Sequence, residues 1–124
     1  MSAMSNALVE LKTVEDLDRL VEASATHPVV LYKHSLTCGT SAMAFEEIRD
    51  LVAGPPVGAS IGVVMVQPSR ALSNEIAARF GIRHESPQVL IVRNGRVEWQ
   101  ASHFRVTAAA ITAALQQLAQ NAVS

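Results

Sequence analysis

Apolar positions along the chain change their spacing repeatedly, and each change marks an expected element boundary. Leu8 to Leu11 reads as a short first strand. Thr13 then stands where a hydroxyl can cap a helix, and Asp16 stands where it can close a capping box. Leu17, Leu20 and Val21 follow at helical spacing, with Glu15, Asp18, Arg19 and Glu22 on the other side, until His27-Pro28 stops the run. Val29 to Lys33 reads as a strand. After His34-Ser35-Leu36-Thr37, a second helix is expected from Cys38-Gly39-Thr40-Ser41 onward. In it Ala42, Phe45, Ile48 and Val52 trace an apolar stripe against Glu46, Glu47, Arg49 and Asp50. Gly54-Pro55-Pro56 ends it.

Ser60 to Val66 is apolar and mostly β-branched, the pattern of a central strand buried on both faces. Beyond Pro68, Leu72, Ile76, Ala77 and Phe80 predict a third helix that Gly81 can close with a left-handed cap. Gln88 to Arg93 and Val97 to Ser102 flank Asn94-Gly95, a pair suited to the positive backbone angles of a type I′ hairpin. Thr107 can cap a last helix carrying Ile111, Leu115 and Leu118. The order β α β α β α β β α predicts an α/β protein with a mixed central β-sheet flanked by helices. That order matches a thioredoxin-like fold, in a single domain over residues 1–124.

Composition narrows the function. With 49% hydrophobic and 17% charged residues, 124 residues can bury a core without disulfides or structural metal. Ten Lys and Arg balance eleven Asp and Glu without a run of one sign, which points away from nucleic acid and anionic membranes as partners. The longest apolar stretch, Ile61 to Val66, is too short to span a bilayer. Met1 to Glu10 lacks the basic start and apolar segment of a signal peptide, so a cytoplasmic location is expected. A single cysteine, Cys38, forms no internal disulfide, and without a cluster of Cys or His ligands no metal site is expected. Any chemistry at Cys38 therefore involves a partner outside the chain.

The expected helix start supplies a reason for such chemistry. A thiol attacks as thiolate, and the unpaired N–H groups and dipole of a helix N-terminus favour the anion. A lone cysteine can instead be a small buried hydrophobe. Cys38, however, lies in a polar junction between strand and helix, outside every apolar stripe, which favours a reactive role. Gly39 and Thr40 add little cover, and Ser41 can donate a hydrogen bond to a thiolate but cannot resolve a disulfide. In the expected fold the Ser86-Pro87 junction faces the cysteine, a position that favours a cis bond. His34, four residues before Cys38, is a candidate to polarise the thiol or to serve as a hydrogen-bonded structural residue. His84, before the proline, and His103, after the last strand, are lesser candidates, and Trp99 reads as packing.

Three separated blocks carry a family resemblance: Lys33-His34-Ser35 with Thr37-Cys38-x-x-Ser41, then His84-Glu85-Ser86-Pro87-Gln88, then Asn94-Gly95 with Trp99-x-Ala101-Ser102-His103. Together the sequence resembles the YtxJ family of monothiol bacilliredoxins, from the first helix through the last. The resemblance implies an oxidoreductase that removes bacillithiol from mixed disulfides on client proteins. It places the nucleophile on Cys38, a hydrogen-bond donor on Ser41, and substrate contacts on Thr37, Gly39, Thr40, His84, Ser86 and Pro87. It implies no bound cofactor, bacillithiol or another low-molecular-weight thiol as co-substrate, and bacillithiol-capped proteins and a reducing redoxin as partners. The chain departs from the family's Thr-Cys-Pro-x-Ser by carrying Gly39, which loosens the first turn of the helix. On the residues alone two other readings stay open: a thioredoxin-fold binding module for stress responses with an unreactive Cys38, and a glutathione-dependent monothiol glutaredoxin-like protein.

Overall fold

The computed structural model describes residues 7–37 and 39–123, with side chains to residue 121. Five strands and four α-helices alternate along the chain: β1 (Leu8–Glu10), α1 (Val14–Ala23), β2 (Val29–His34), α2 (Gly39–Ala53), β3 (Ser60–Met65), α3 (Arg70–Phe80), β4 (Gln88–Arg93), β5 (Arg96–Ser102) and α4 (Ala108–Val123). Between β5 and α4 a 3₁₀ turn spans His103–Arg105. The sheet order is β1-β3-β2-β4-β5. β3 is parallel to both β1 and β2, whereas β4 runs antiparallel to β2 and β5. This is the mixed, helix-flanked sheet of a thioredoxin-like fold.

Local chemistry sets most boundaries. Thr13 Oγ accepts from the Asp16 N–H, and the Asp16 carboxylate accepts from the Thr13 N–H at 3.1 Å, completing the capping box of α1. Gly81 takes the left-handed conformation, φ 62°, that closes α3. Asn94 and Gly95, at φ 55° and 74°, make the expected turn between β4 and β5. Thr107 Oγ accepts from the Ala110 N–H at the start of α4.

The sheet buries both faces. On one side α2 and α4 cover Val30, Tyr32, Ile61, Val63, Val89 and Ile91; on the other, α1 and α3 cover Val29, Leu31, Val64, Leu90 and Val92. The apolar stripe of α2 differs from the one read along the sequence. Ser41, Ala44, Ile48 and Leu51 face inward, Ala42 is exposed, and Phe45 and Val52 lie half-buried at the edge. Small side chains at 41 and 44 face inward where α2 starts over the sheet, and Phe45 instead packs beside Tyr32 and His34. β5 begins one residue earlier than the pattern predicts, at Arg96, and the turn at His103 carries no periodic signal.

Two junctions are brought together by this register. Lys33 pairs with Gln88 across β2 and β4, so the end of β2 that leads into residues 35–37 lies beside the start of β4 that follows Pro87. No helix among the described residues is long and apolar enough to cross a membrane.

Candidate active site

The site is built where β2 gives way to α2. Cys38, the expected nucleophile, lies outside the described residues, and its surroundings are defined by its neighbours on either side. Ser35 is buried, while Leu36 and Thr37 project into solvent. Gly39 opens α2, so chain position 38 immediately precedes the first helical residue, and a side chain at Gly39 would meet open space. The N–H groups of that first turn have no intrahelical acceptor and favour an anion placed before them. Ser41 is fully buried, and its Oγ accepts from the Ser35 N–H at 3.2 Å, fastening the first turn of α2 to the end of β2.

A residue that no sequence pattern singles out holds the outer part of this turn. Gln67, just beyond β3, accepts the Leu36 N–H on Oε1 at 2.9 Å. Its Nε2 donates to Ser35 Oγ at 2.9 Å and to Thr37 Oγ1 at 3.2 Å. Nothing in the local sequence announces this role, because the contacts cross 30 to 32 positions of chain.

Beneath the turn, on the α2 side of the sheet, His34 is 8% exposed. Its Nδ1 lies 3.0 Å from the Tyr32 hydroxyl, which also donates to the Ser41 carbonyl, and its ring packs 4.8 Å from that of Phe45. Burial pushes the His34 pKa down, favouring the neutral imidazole. His34 thus supports the start of α2 through Tyr32.

The Ser86–Pro87 peptide is cis, with Pro87 buried. The Pro87 carbonyl accepts from the His103 N–H at 2.9 Å, tying the loop to the end of β5. Glu85 reinforces the tie: one carboxylate oxygen accepts from Ser102 Oγ at 3.0 Å, and the other lies 3.2 Å from His103 Nε2. The Ser102 hydrogen bond, with help from His103, holds the Glu85 carboxyl below its usual range. His103 has φ 56°, unusual outside glycine, and starts the turn that exposes Phe104. Thr40, Met43, Glu47, His103, Phe104 and Thr107 line a cleft of about 100 Å³ between this turn and α2.

His84 belongs to a different cluster. Its Nδ1 lies 3.1 Å from Lys33 Nζ and 3.4 Å from Ser73 Oγ, on the α3 side of the sheet. Lys33 is fully buried, and its ammonium also donates to the Ser73 carbonyl at 3.0 Å. Burial lowers the Lys33 pKa to about 8. Burial, and then the charges of Lys33 and Arg70, lower that of His84. The structure therefore gathers Thr37, Gly39, Thr40 and Ser41 around the start of α2, and Ser86, Pro87 and His103 around the adjoining loop. His84 precedes that loop in the chain and is bonded instead to Lys33 and Ser73. Among the described residues no group of His, Asp and Glu is placed to hold a metal ion. A groove of about 630 Å³ runs between the end of α2 and α4 past Gly54, Pro56, Ala109 and Ala113, and is lined by none of these residues.

Residues 9–111 match the family of the monothiol bacilliredoxin BrxC. This chain belongs to the monothiol bacilliredoxin family. Solved structures agree on the fold. A thioredoxin-fold protein provisionally described as an oxidoreductase is 27% identical, with 86% of this chain and 92% of that one aligned and a TM-score of 0.75. Thioredoxin from Trypanosoma brucei brucei is 13% identical over 97% of each chain, also at a TM-score of 0.75. A thioredoxin variant from Halobacterium salinarum is 14% identical over 94% of this chain and 95% of its own, at a TM-score of 0.73. The bacilliredoxin family and the oxidoreductase relative together support a thiol redox function.

Proposed function

We propose that this bacilliredoxin family member removes bacillithiol from mixed disulfides on client proteins, with Cys38 as nucleophile. The observation that carries the reading is the place of the chain's one cysteine, immediately before the first residue of α2, in a family defined by a single working thiol. The Cys38 thiolate attacks the bacillithiol sulfur; a new S–S bond forms as the old one breaks, and the client's sulfur leaves as thiolate to take up a proton. A second bacillithiol thiolate then attacks the sulfur of the cap. It forms bacillithiol disulfide and releases Cys38 as thiolate, and a reducing redoxin can perform the same reset.

The surrounding residues have roles consistent with this chemistry. Unpaired N–H groups at the start of α2 favour the thiolate both as attacker and as leaving group. Thr37, Gly39 and Thr40 border the approach to it. Ser86 offers its backbone N–H and carbonyl to an incoming disulfide, and the cis-linked Pro87 is held in place by the His103 N–H, with Glu85 reinforcing that tie. Ser41 fixes the first turn and carries no thiol, so the capped intermediate waits for an external reductant.

The test offers proteins capped with bacillithiol or glutathione to the reduced chain and follows cap transfer by intact mass. Transfer of bacillithiol in preference to glutathione, lost in a folded Cys38→Ser variant, is the expected result. Preference for glutathione would favour the glutaredoxin-like reading, and absence of transfer from either would favour a binding module.

A further inference from the structure

The turn that leads into Cys38 has only one side-chain clamp reaching it from outside the turn and α2 among the described residues, and that clamp is Gln67. Its base is rigid. The Val66 N–H donates to the His34 carbonyl at 2.9 Å, and the Ser69 N–H donates to the Met65 carbonyl at 3.0 Å, so the backbone on both sides of Gln67 is anchored. From that base one carboxamide meets three consecutive residues: Oε1 takes the Leu36 N–H, and Nε2 supplies Ser35 Oγ and Thr37 Oγ1. Ser35 Oγ is in turn 3.4 Å from the Thr37 N–H, so the hydroxyl network covers the last stretch of backbone before the cysteine. Burial adds little to this hold, since Leu36 is 60% exposed and Thr37 is exposed as well.

We infer that Gln67 is a positioning residue for the thiol: it fixes residues 35–37, the stretch that delivers chain position 38 to the first turn of α2, whose unpaired N–H groups favour a thiolate. The inference rests on the reactive role proposed for Cys38. A thiolate gains from a helix start only when held close to it, because the interaction fades within the first turn. Releasing the clamp lets the exposed turn sample other backbone conformations, lowers the mean stabilisation of the anion, and leaves the buried core of the domain untouched. Gln67 touches neither substrate nor sulfur in this role; it acts through the turn.

The experiment compares wild type, Gln67→Ala and Gln67→Glu by two readouts, with thermal unfolding as a check on folding. The first is hydrogen exchange of the Leu36 amide, followed by NMR. Alanine removes its acceptor and is expected to speed exchange about tenfold or more, whereas glutamate keeps an acceptor at the same reach and is expected to preserve protection. The second is the pH midpoint of iodoacetamide alkylation at Cys38. Gln67→Ala is expected to raise the midpoint by up to about one unit of thiolate pKa and so to slow alkylation at pH values below the wild-type midpoint by about threefold to tenfold. Gln67→Glu is expected to raise it too, because a carboxylate beside the turn opposes the thiolate. A wild-type midpoint at or above that of a free cysteine overturns the reactive-cysteine reading itself. A depressed wild-type midpoint that survives Gln67→Ala, or Leu36 protection unchanged in that variant, overturns the role of Gln67 alone.

Discussion

The Lys33 ammonium and the His84 imidazole, 51 positions apart in the chain, meet 3.1 Å apart beneath α3 and join β2 to the segment that runs into Ser86 and Pro87. Among the described residues the pair has no carboxylate hydrogen-bond partner: Lys33 donates to the Ser73 carbonyl, and His84 also approaches Ser73 Oγ. The charged groups acting on His84 are Lys33 and Arg70, which disfavour its protonation, and Glu85, which favours it.

This burial makes stability depend on pH in a defined window. The Lys33 pKa falls from 10.5 to about 8 on folding, so between those values the unfolded chain holds a proton that the native lysine has lost. Stability therefore rises with pH through the window. The cost of burying the charge is fully present below pH 8 and is relieved by pH 10.5, a span of roughly 3 to 4 kcal/mol at most. Urea unfolding at about pH 7.5 and about pH 9.5 should show wild type gaining on Lys33→Met at the higher pH. An equal difference at both values would mean that Lys33 does not titrate in this range.

Ser41 decides how a capped protein is reset. Its Oγ is buried one helical turn into α2, bonded to the Ser35 N–H, at the position where a dithiol redoxin carries its second thiol. Ser41→Cys should allow the cap on Cys38 to be expelled from within, ending with an internal disulfide and a mass lower by two hydrogens than the reduced form. Wild type, capped and freed of excess thiol, should keep its cap. Spontaneous uncapping of wild type under those conditions would refute the monothiol cycle.

Tyr32→Phe separates packing from hydrogen bonding beneath the site. Phenylalanine keeps the stacked contact with Phe45, with rings 6.2 Å apart and 7° from parallel, but withdraws the hydroxyl from His34 Nδ1 and the Ser41 carbonyl. A loss of about 1–3 kcal/mol in denaturant unfolding is expected, the range for leaving buried polar groups short of a partner. A change below about 0.5 kcal/mol would show that the hydroxyl is dispensable there.

Thr13→Ala tests the start of α1, which contributes none of the site residues. It removes the hydroxyl that accepts from the Asp16 N–H and should cost about 1 kcal/mol, with cap-transfer activity unchanged. Unaltered stability would mean that the Asp16 carboxylate, which also receives the Lys12 N–H at 2.9 Å, is sufficient to hold this helix end.

Local order along the chain follows from what neighbouring residues settle among themselves. Thr13 with Asp16, Gly81 after Phe80, and Asn94 with Gly95 each specify a backbone geometry within a few positions, so the element order is legible without coordinates. Three blocks around Cys38, Pro87 and His103 likewise carry the family in their local motifs. Which distant groups share a site depends on the packing of the folded chain. The inward face of α2 runs through Ser41 and Ala44 and not Ala42, although the local pattern allows either. Gln67 reaches residues 35–37 because β3 ends beside β2, Lys33 meets His84 because α3 covers that end of the sheet, and Pro87 meets His103 because β4 pairs with β5. Periodicity reports only the local choice of backbone, whereas these contacts exist once strand register and helix placement bring residues many positions apart within hydrogen-bond reach.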